Sequence, residues 1–530
     1  MTPSPDRCKK SMNARRLLRR KTLDGIRTDA ERSTAVHLKR SLGSWDLVSL
    51  GIGGIIGAGI FAVIGTAAAG SAAHPGAGPG VTLSFIITAI ACAFCAFCYA
   101  EFAALVPIAG SAYTYSYATL GEITAWIVGW NLILEYGIGN VAVAIGWAAY
   151  FHQLFAGLGI HIPAWLAVDY RSAHEAAEAV TAAGGAIAPG LALPHEAWGT
   201  APLVFGHPLI FNFLAVAIVA LVTWILVIGI KESARANNVM VAVKLIILLF
   251  FIGVGAFYVK PQNWTPFMPN GFSGVWIGAS LIFFAFIGFD TVSTAAEECR
   301  NPGRDLPIGI IGSLAICTVI YVATAAILTG IAPWRELGVA NPLAAAFAGI
   351  GLNWAAGIVS LGAVVSMTAV LLVFQLGQSR IFFSMSRDGL LPRYVARVHP
   401  RFQTPHVSTI WTGVATAAVA AVTNINEIVE LTNIGTLFAF AIVCAAVIIL
   451  RVTEPDRPRL FKTPLVPIVP LLGIAMCLYL MLGLPRITWL RFGAWLAVGL
   501  VVYFAYGFSH SHLRARGQDG LSRHNGAAGR

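Results

Sequence analysis

Lys244 is the single charge in NNVMVAVKLIILLFF (237 to 251), set among Val, Ile and Leu. An ammonium group is expensive to keep charged in such surroundings, which suits it to taking up and releasing a proton. The plainer reading is a lysine whose aliphatic stem carries its head out to the lipid headgroups. Glu135 and Asp290 stand in equally apolar runs and are candidates for steadying irregular backbone or for pairing with Lys244, with purely structural pairing as the alternative. Glu101, just ahead of Pro107 and Gly110, reads as a gate or helix-cap residue, and Glu430 as an interfacial one.

A second kind of chemistry lies in the backbone. GIGGIIGAGIFAVIG (51 to 65) places six glycines in a stretch that otherwise reads as membrane-spanning helix. A GxxxG contact between helices would explain Gly53 and Gly57 but leaves Gly51, Gly54 and Gly59 without a role. Five glycines in nine residues let the helix unwind, and exposed backbone is tolerated at that depth only where it lines a cavity. Bare N–H groups at the start of the next half-helix form an anion site fit for a carboxylate. Gly57, Gly59 and Ala62 also match a GxGxxA dinucleotide motif, which is rejected because no strand precedes it. SLIFFAFIGFDTVSTAAEECRNP (280 to 302) supplies a second interruption at Gly288, beside Asp290 and the phenylalanines 283, 284, 286 and 289. There the carbonyls of Phe284, Ala285 and Ile287 would accept from an ammonium group under a Phe284 lid. The alternative, phenylalanines that face lipid or neighbouring helices, suits three of the four.

Two other patterns lead elsewhere. CAFCAFC (92 to 98) has metal-like spacing, but three thiols on a lipid-bathed helix without a fourth ligand or a nearby His read as small packing residues, and no metal is expected. Histidines 152, 161, 174, 195 and 207 are irregularly spaced in the long connection and its approach, and read as solvated.

The elements that must position these groups follow from composition. The 530 residues are 57% hydrophobic and 11% charged, with a mean hydropathy of +0.75, more apolar surface than a soluble chain of this length could hide. Twelve apolar windows long enough to cross a bilayer fall near 45–69, 82–106, 121–156, 208–229, 238–259, 273–297, 307–331, 352–377, 406–423, 428–450, 464–484 and 489–509, here spans 1 to 12. With a cytoplasmic N-terminus, 29 of 35 Lys and Arg fall inside and five outside, which predicts both termini in the cytoplasm. The net charge of +11 therefore encodes topology, and no nucleic-acid partner is implied. Interruptions in spans 1 and 6 predict an inverted repeat of five spans each. The divisions are a basic tail (1–43), a core (44–450) with an outer loop at 157–207, spans 11 and 12 (451–509) and a disordered tail (510–530). A short surface helix is expected in SAHEAAEAVTAA (172 to 183). No cysteine falls in an outer segment, so no structural disulfide is expected.

LKRSLGSWDLVSLGIGGIIGAGIF (38 to 61), YAEFAALVPIAGSAYTYSYATLGE (99 to 122), GWNLILEY (129 to 136), FFAFIGFDTVSTAAEECRNPGRDLPIGI (283 to 310) and GQSRIFFSMSRDGLLP (377 to 392) closely resemble the cationic amino-acid transporter family of the amino acid, polyamine and organocation superfamily. The resemblance implies an all-α membrane fold of twelve transmembrane helices, a five-plus-five inverted repeat followed by two extra helices. It also implies a substrate held between spans 1 and 6: the backbone at Ile56, Gly57, Ala58 and Gly59 for the carboxylate, and Phe284, Ala285 and Ile287 for the amine. Span 8 would form the other wall through Ser366, Met367 and Val370. Lys244 takes the place that sodium occupies in sodium-coupled relatives, so it looks like the proton carrier, with Glu135 and Asp290 as supporting charges. The expectation is a cell-membrane importer of L-amino acids, small or branched neutral ones by preference, working by proton symport and alternating access. It needs no cofactor, accessory subunit or enzymatic chemistry. The alternatives are an amino-acid or polyamine exchanger on the same fold and a receptor that binds without transporting.

Overall fold

The computed structural model describes residues 42–513 apart from 72–73, 107–110, 183, 186, 188, 230–233 and 403. The basic tail up to residue 41, the turn at Pro107 and Gly110, and the end of the chain from 514 lie outside the described residues. The described residues are mostly helical. Its strands among the described residues are two minimal hairpins, β1 (Gly70–Ser71) with β2 (His74–Pro75) and β3 (Leu203–Val204) with β4 (His207–Pro208).

Every one of the twelve apolar windows holds helix. Among the described residues, eight helices are long and apolar enough to cross a membrane unaided, and the bent pair Ser44–Ile55 and Gly59–Ala69 adds a ninth. Spans 4, 9 and 11 hold shorter helices, Phe213–Ile228, His406–Val422 and Ile468–Leu482. At 1.5 Å per residue these reach roughly 23–26 Å, less than the ~30 Å of hydrocarbon. Length and composition therefore carry eight or nine of the twelve expected crossings.

The ends of these helices have local causes. Asn212 caps Phe213–Ile228 by accepting from the Ala215 N–H at 3.0 Å, and Gly229 closes the same helix in the left-handed region at φ 77°. Pro302 opens Pro302–Ile331, where its missing N–H leaves nothing unsatisfied.

Packing follows a regular order. Span 1 lies against span 6, span 2 against span 7, span 3 against span 8 and span 4 against span 9. One contiguous apolar core runs through all of them. The outer connection holds helices Tyr170–Ala182 and Ala192–Thr200 over a small core of its own, Ala164, Val168, Ala173, Ala197 and Ile210.

One expectation is corrected here. The thiols at 92, 95 and 98 are not bathed in lipid; all are buried, because spans 10 and 11 pack over that face. The Cys95 Sγ lies 3.5 Å from that of Cys477 and 3.9 Å from that of Cys444. Span 2 alone could not reveal this, since both of its faces are apolar.

Candidate functional site

The first half of span 1 stops at Ile55. Ile56 is extended (φ −75°, ψ 100°), and the chain resumes at Gly59 as a π-helical turn, Gly59–Val63, that runs into Ile64–Ala69 at a bend of 41°. Stopping a helix inside the membrane strands its last carbonyls, and three other spans supply donors to them. The Lys244 Nζ donates to the Gly53 carbonyl at 2.6 Å and to the Ile56 carbonyl at 3.1 Å. The Tyr321 hydroxyl donates to the Ile55 carbonyl at 2.9 Å, and the Ser366 hydroxyl to that of Ile56 at 3.2 Å. Lys244 thus points inward, at the negative end of a half-helix dipole, and does not reach for headgroups. Ser366 does face the break, as expected of span 8.

Span 6 stops in the same way. Gly271–Ile282 passes into a 3-10 turn, Phe283–Phe286; Ile287 is extended (φ −59°, ψ 133°), and Gly288 adopts φ 119°, beyond which Phe289–Glu298 continues as 3-10 helix. The Asn433 amide donates to the carbonyls of Ser280 and Leu281 at 2.8 and 3.1 Å.

The two breaks meet. A Cβ on Gly59 would lie 2.2 Å from the Cα of Ala285, and one on Gly288 would lie 2.6 Å from the Gly54 carbonyl carbon. Gly57 is closed against Val370, whose Cγ2 would lie 2.9 Å from an added Cβ. Ile56, Gly57, Ala58, Gly59, Phe284, Ala285 and Ile287 are accordingly brought together and closed off from solvent; even Phe284 is only 5% exposed. None of the four phenylalanines faces lipid. Phe286 packs on Phe85 and Tyr321, and Phe289 on Tyr99 and Phe440.

Beside the breaks lies a polar region, of which the sequence discloses Glu135 and Asp290 but not their neighbours. Span 3 widens into a π-helical turn, Ile133–Ile138, which carries Glu135 and Tyr136. Such single turns are often found at functional positions. The Tyr136 hydroxyl donates to Asp290 at 2.6 Å, and Glu135 lies beside Asp290 and Thr436. Both Glu135 oxygens, one Asp290 oxygen, the side-chain amides of Asn140 and Gln378, and the hydroxyls of Thr432 and Thr436 are buried with no hydrogen-bond partner. In a dry core each neutral one of these groups would cost about 1–3 kcal/mol.

On the face where span 1 begins, the Tyr113 hydroxyl donates to Asp388 at 2.8 Å, and Glu122 accepts from Tyr117 at 3.1 Å, Tyr503 at 3.0 Å and Ser511. Burial pushes the phenols of Tyr113 and Tyr117 well up, so both stay donors. Glu101 is gripped at 2.9 Å by two nitrogens of Arg451 and accepts from the Thr463 N–H at 2.8 Å, so it ties span 2 to the connection after span 10.

Two apolar spans broken midway and brought together in the interior are the build of a transporter. The chain belongs to the amino acid permease family, whose profile matches residues 42–504. It is 49% identical over 477 residues to the branched-chain amino acid permease BcaP of Bacillus subtilis, covering 90% of this chain and 95% of that one. It is 45% identical over 497 residues to the methylthioribose transporter of the same organism, covering 94% and 99%. It is also 38% identical over 430 residues to cationic amino acid transporter 9, chloroplastic, of Arabidopsis thaliana, covering 80% and 69%. The protein is a multi-pass membrane transporter and not an enzyme.

Proposed function

We propose that this protein imports L-amino acids across the cytoplasmic membrane by proton symport with alternating access, with twelve crossings and both termini inside. The observation that carries the reading is the contact of the two breaks, with Lys244 at the end of the first half-helix. The backbone from Ile56 to Gly59 would seat the carboxylate through the N–H groups of Gly57, Ala58 and Gly59, the Ile56 N–H being held by the Ile52 carbonyl at 3.0 Å, and the positive end of the second half-helix adds to them. Carbonyls of Phe284, Ala285 and Ile287 would take the ammonium. A charged Lys244 holds the Gly53 and Ile56 carbonyls; a neutral one holds them more weakly, which couples its proton to the shape of the carboxylate seat. Packing of spans 1 to 4 on spans 6 to 9, each five apart, supports the five-plus-five repeat.

Among amino acids, the similarity to a branched-chain permease supports small or branched neutral side chains. A second reading is a thioether sugar, as in the methylthioribose relative. The unpartnered groups of Asn140, Gln378, Thr432 and Thr436 favour it, since they would suit hydroxyls. Uptake into proteoliposomes tests both. Leucine or isoleucine should accumulate under an inward proton gradient in the absence of sodium. Accumulation that follows sodium and ignores the proton gradient overturns the coupling, uptake only into preloaded vesicles makes the protein an exchanger, and uptake of methylthioribose alone gives the second reading.

A further inference from the structure

The hairpin β1–β2 directly continues the second half of span 1, because Gly70 follows Ala69 without a break. It is fastened to that half-helix: the Ala77 N–H donates to the Ala67 carbonyl at 2.9 Å, and Gly76 lies so close that an added Cβ would come 2.4 Å from the Ala68 carbonyl oxygen. Whatever holds the hairpin therefore holds the half-helix. His74, 7% exposed, meets Glu430 of span 10, 6% exposed, with Nε2 and Oε1 2.7 Å apart. The other Glu430 oxygen accepts from the Thr488 hydroxyl of span 12 at 2.5 Å. One turn along span 10, Asn433 holds the end of the first half of span 6 through Ser280 and Leu281. Span 10 thus grips the far-side halves of both broken helices, one through a neutral amide and one through a titratable pair.

We propose that His74–Glu430 is the latch of the far face: it closes the outer half of span 1 on span 10, and it tightens when that side is acidified. His74 is a positioning residue in this scheme. A neutral imidazole donating to a carboxylate makes a hydrogen bond in which only the acceptor is charged, and an imidazolium makes one in which both partners are. The neighbouring elements bring other charges. Glu427, one turn before Glu430, is paired with Arg171 and Arg491, both at 2.9 Å. Lys260, Arg335, Glu336 and Arg486 are exposed on the adjoining turns and helix ends. Span 6 contributes the neutral Asn270, which donates to the Gly76 carbonyl at 2.8 Å. The step from latch to gating of transport rests on the proposed substrate seat, but the latch itself does not.

Amide hydrogen exchange of the peptide covering 64–77, in the full chain in lipid nanodiscs without substrate, tests the latch even if the transport reading fails. After correction for the intrinsic pH dependence of exchange, wild type should be better protected at about pH 5.5 than at about pH 7.5. His74→Ala should lose protection on the order of tenfold at both. His74→Gln, which keeps a donor but not a charge, should retain part of the protection and lose the pH difference; it decides the matter if His74→Ala also loosens the remote helix Phe213–Ile228. A His74→Gln protein with the wild-type pH difference, or a His74→Ala protein as protected as wild type, overturns the proposal.

Discussion

Lys244 carries the largest consequence of any single residue, because its two carbonyl contacts join proton chemistry to backbone shape. Lys244→Met should leave the protein folded but remove the pH dependence of uptake, with a loss of stability of about 1–3 kcal/mol from the two abandoned carbonyls. Urea or thermal unfolding together with a pH profile of uptake checks both halves; a retained profile clears Lys244 of the role. Tyr321→Phe separates the effects, since it strands only the Ile55 carbonyl. It should cost stability by a similar amount and leave the pH profile intact. Lys244 was legible in the sequence because a charge among Val, Ile and Leu needs a reason. Its partners were not, since they are carbonyls of a remote span that any residue could offer. His74 and Tyr321 were passed over for the same reason: a histidine in a Gly- and Pro-rich turn and a tyrosine in a long apolar helix are unremarkable until the fold supplies Glu430 and Ile55.

At the scale of elements, the two breaks depend on absent side chains. Gly59→Ala places a methyl group on the Ala285 backbone, and Gly288→Ala adds a Cβ both against Gly54 and at φ 119°. The backbone conformation alone costs about 1–3 kcal/mol for a residue other than glycine. Either variant should lose uptake at least tenfold through separation of the breaks, as measured against expression and monodispersity on size exclusion; near-normal uptake by Gly59→Ala would show that the contact is not needed. The first interruption was readable from glycine density and the second from a single glycine, Gly288, beside Asp290. The π-helical turn at Glu135 was not, because its residues, ILEYGI, have no helix breaker ahead of the glycine. Likewise the burial of the thiols at 92, 95 and 98 depends on which neighbours cover them, which a uniformly apolar helix does not encode.

The whole molecule sets two interrupted helices among continuous ones. Glu101 anchors one of the continuous ones, span 2, and the Arg459 guanidinium, 2% exposed, lies 3.2 Å from it. Glu101→Ala should destabilise the protein by about 3–5 kcal/mol, since it leaves buried guanidinium charge uncompensated; a shift in the unfolding midpoint in detergent reads this, and an unchanged midpoint would remove Glu101 from the anchoring role. The number of apolar windows was plain in the sequence, yet three of their helices fall short of bilayer thickness, so window counts and helix lengths give different tallies. The central claim is that backbone groups at the two breaks hold both charged ends of one amino acid. It is tested most directly by thermal shift with leucine, leucinamide and N-acetyl-leucine at equal concentration, since a ligand stabilises the folded protein according to its concentration relative to its affinity. Leucine should raise the midpoint, and the two analogues, each missing one charged end, should not; stabilisation by either analogue as large as that by leucine would contradict the claim.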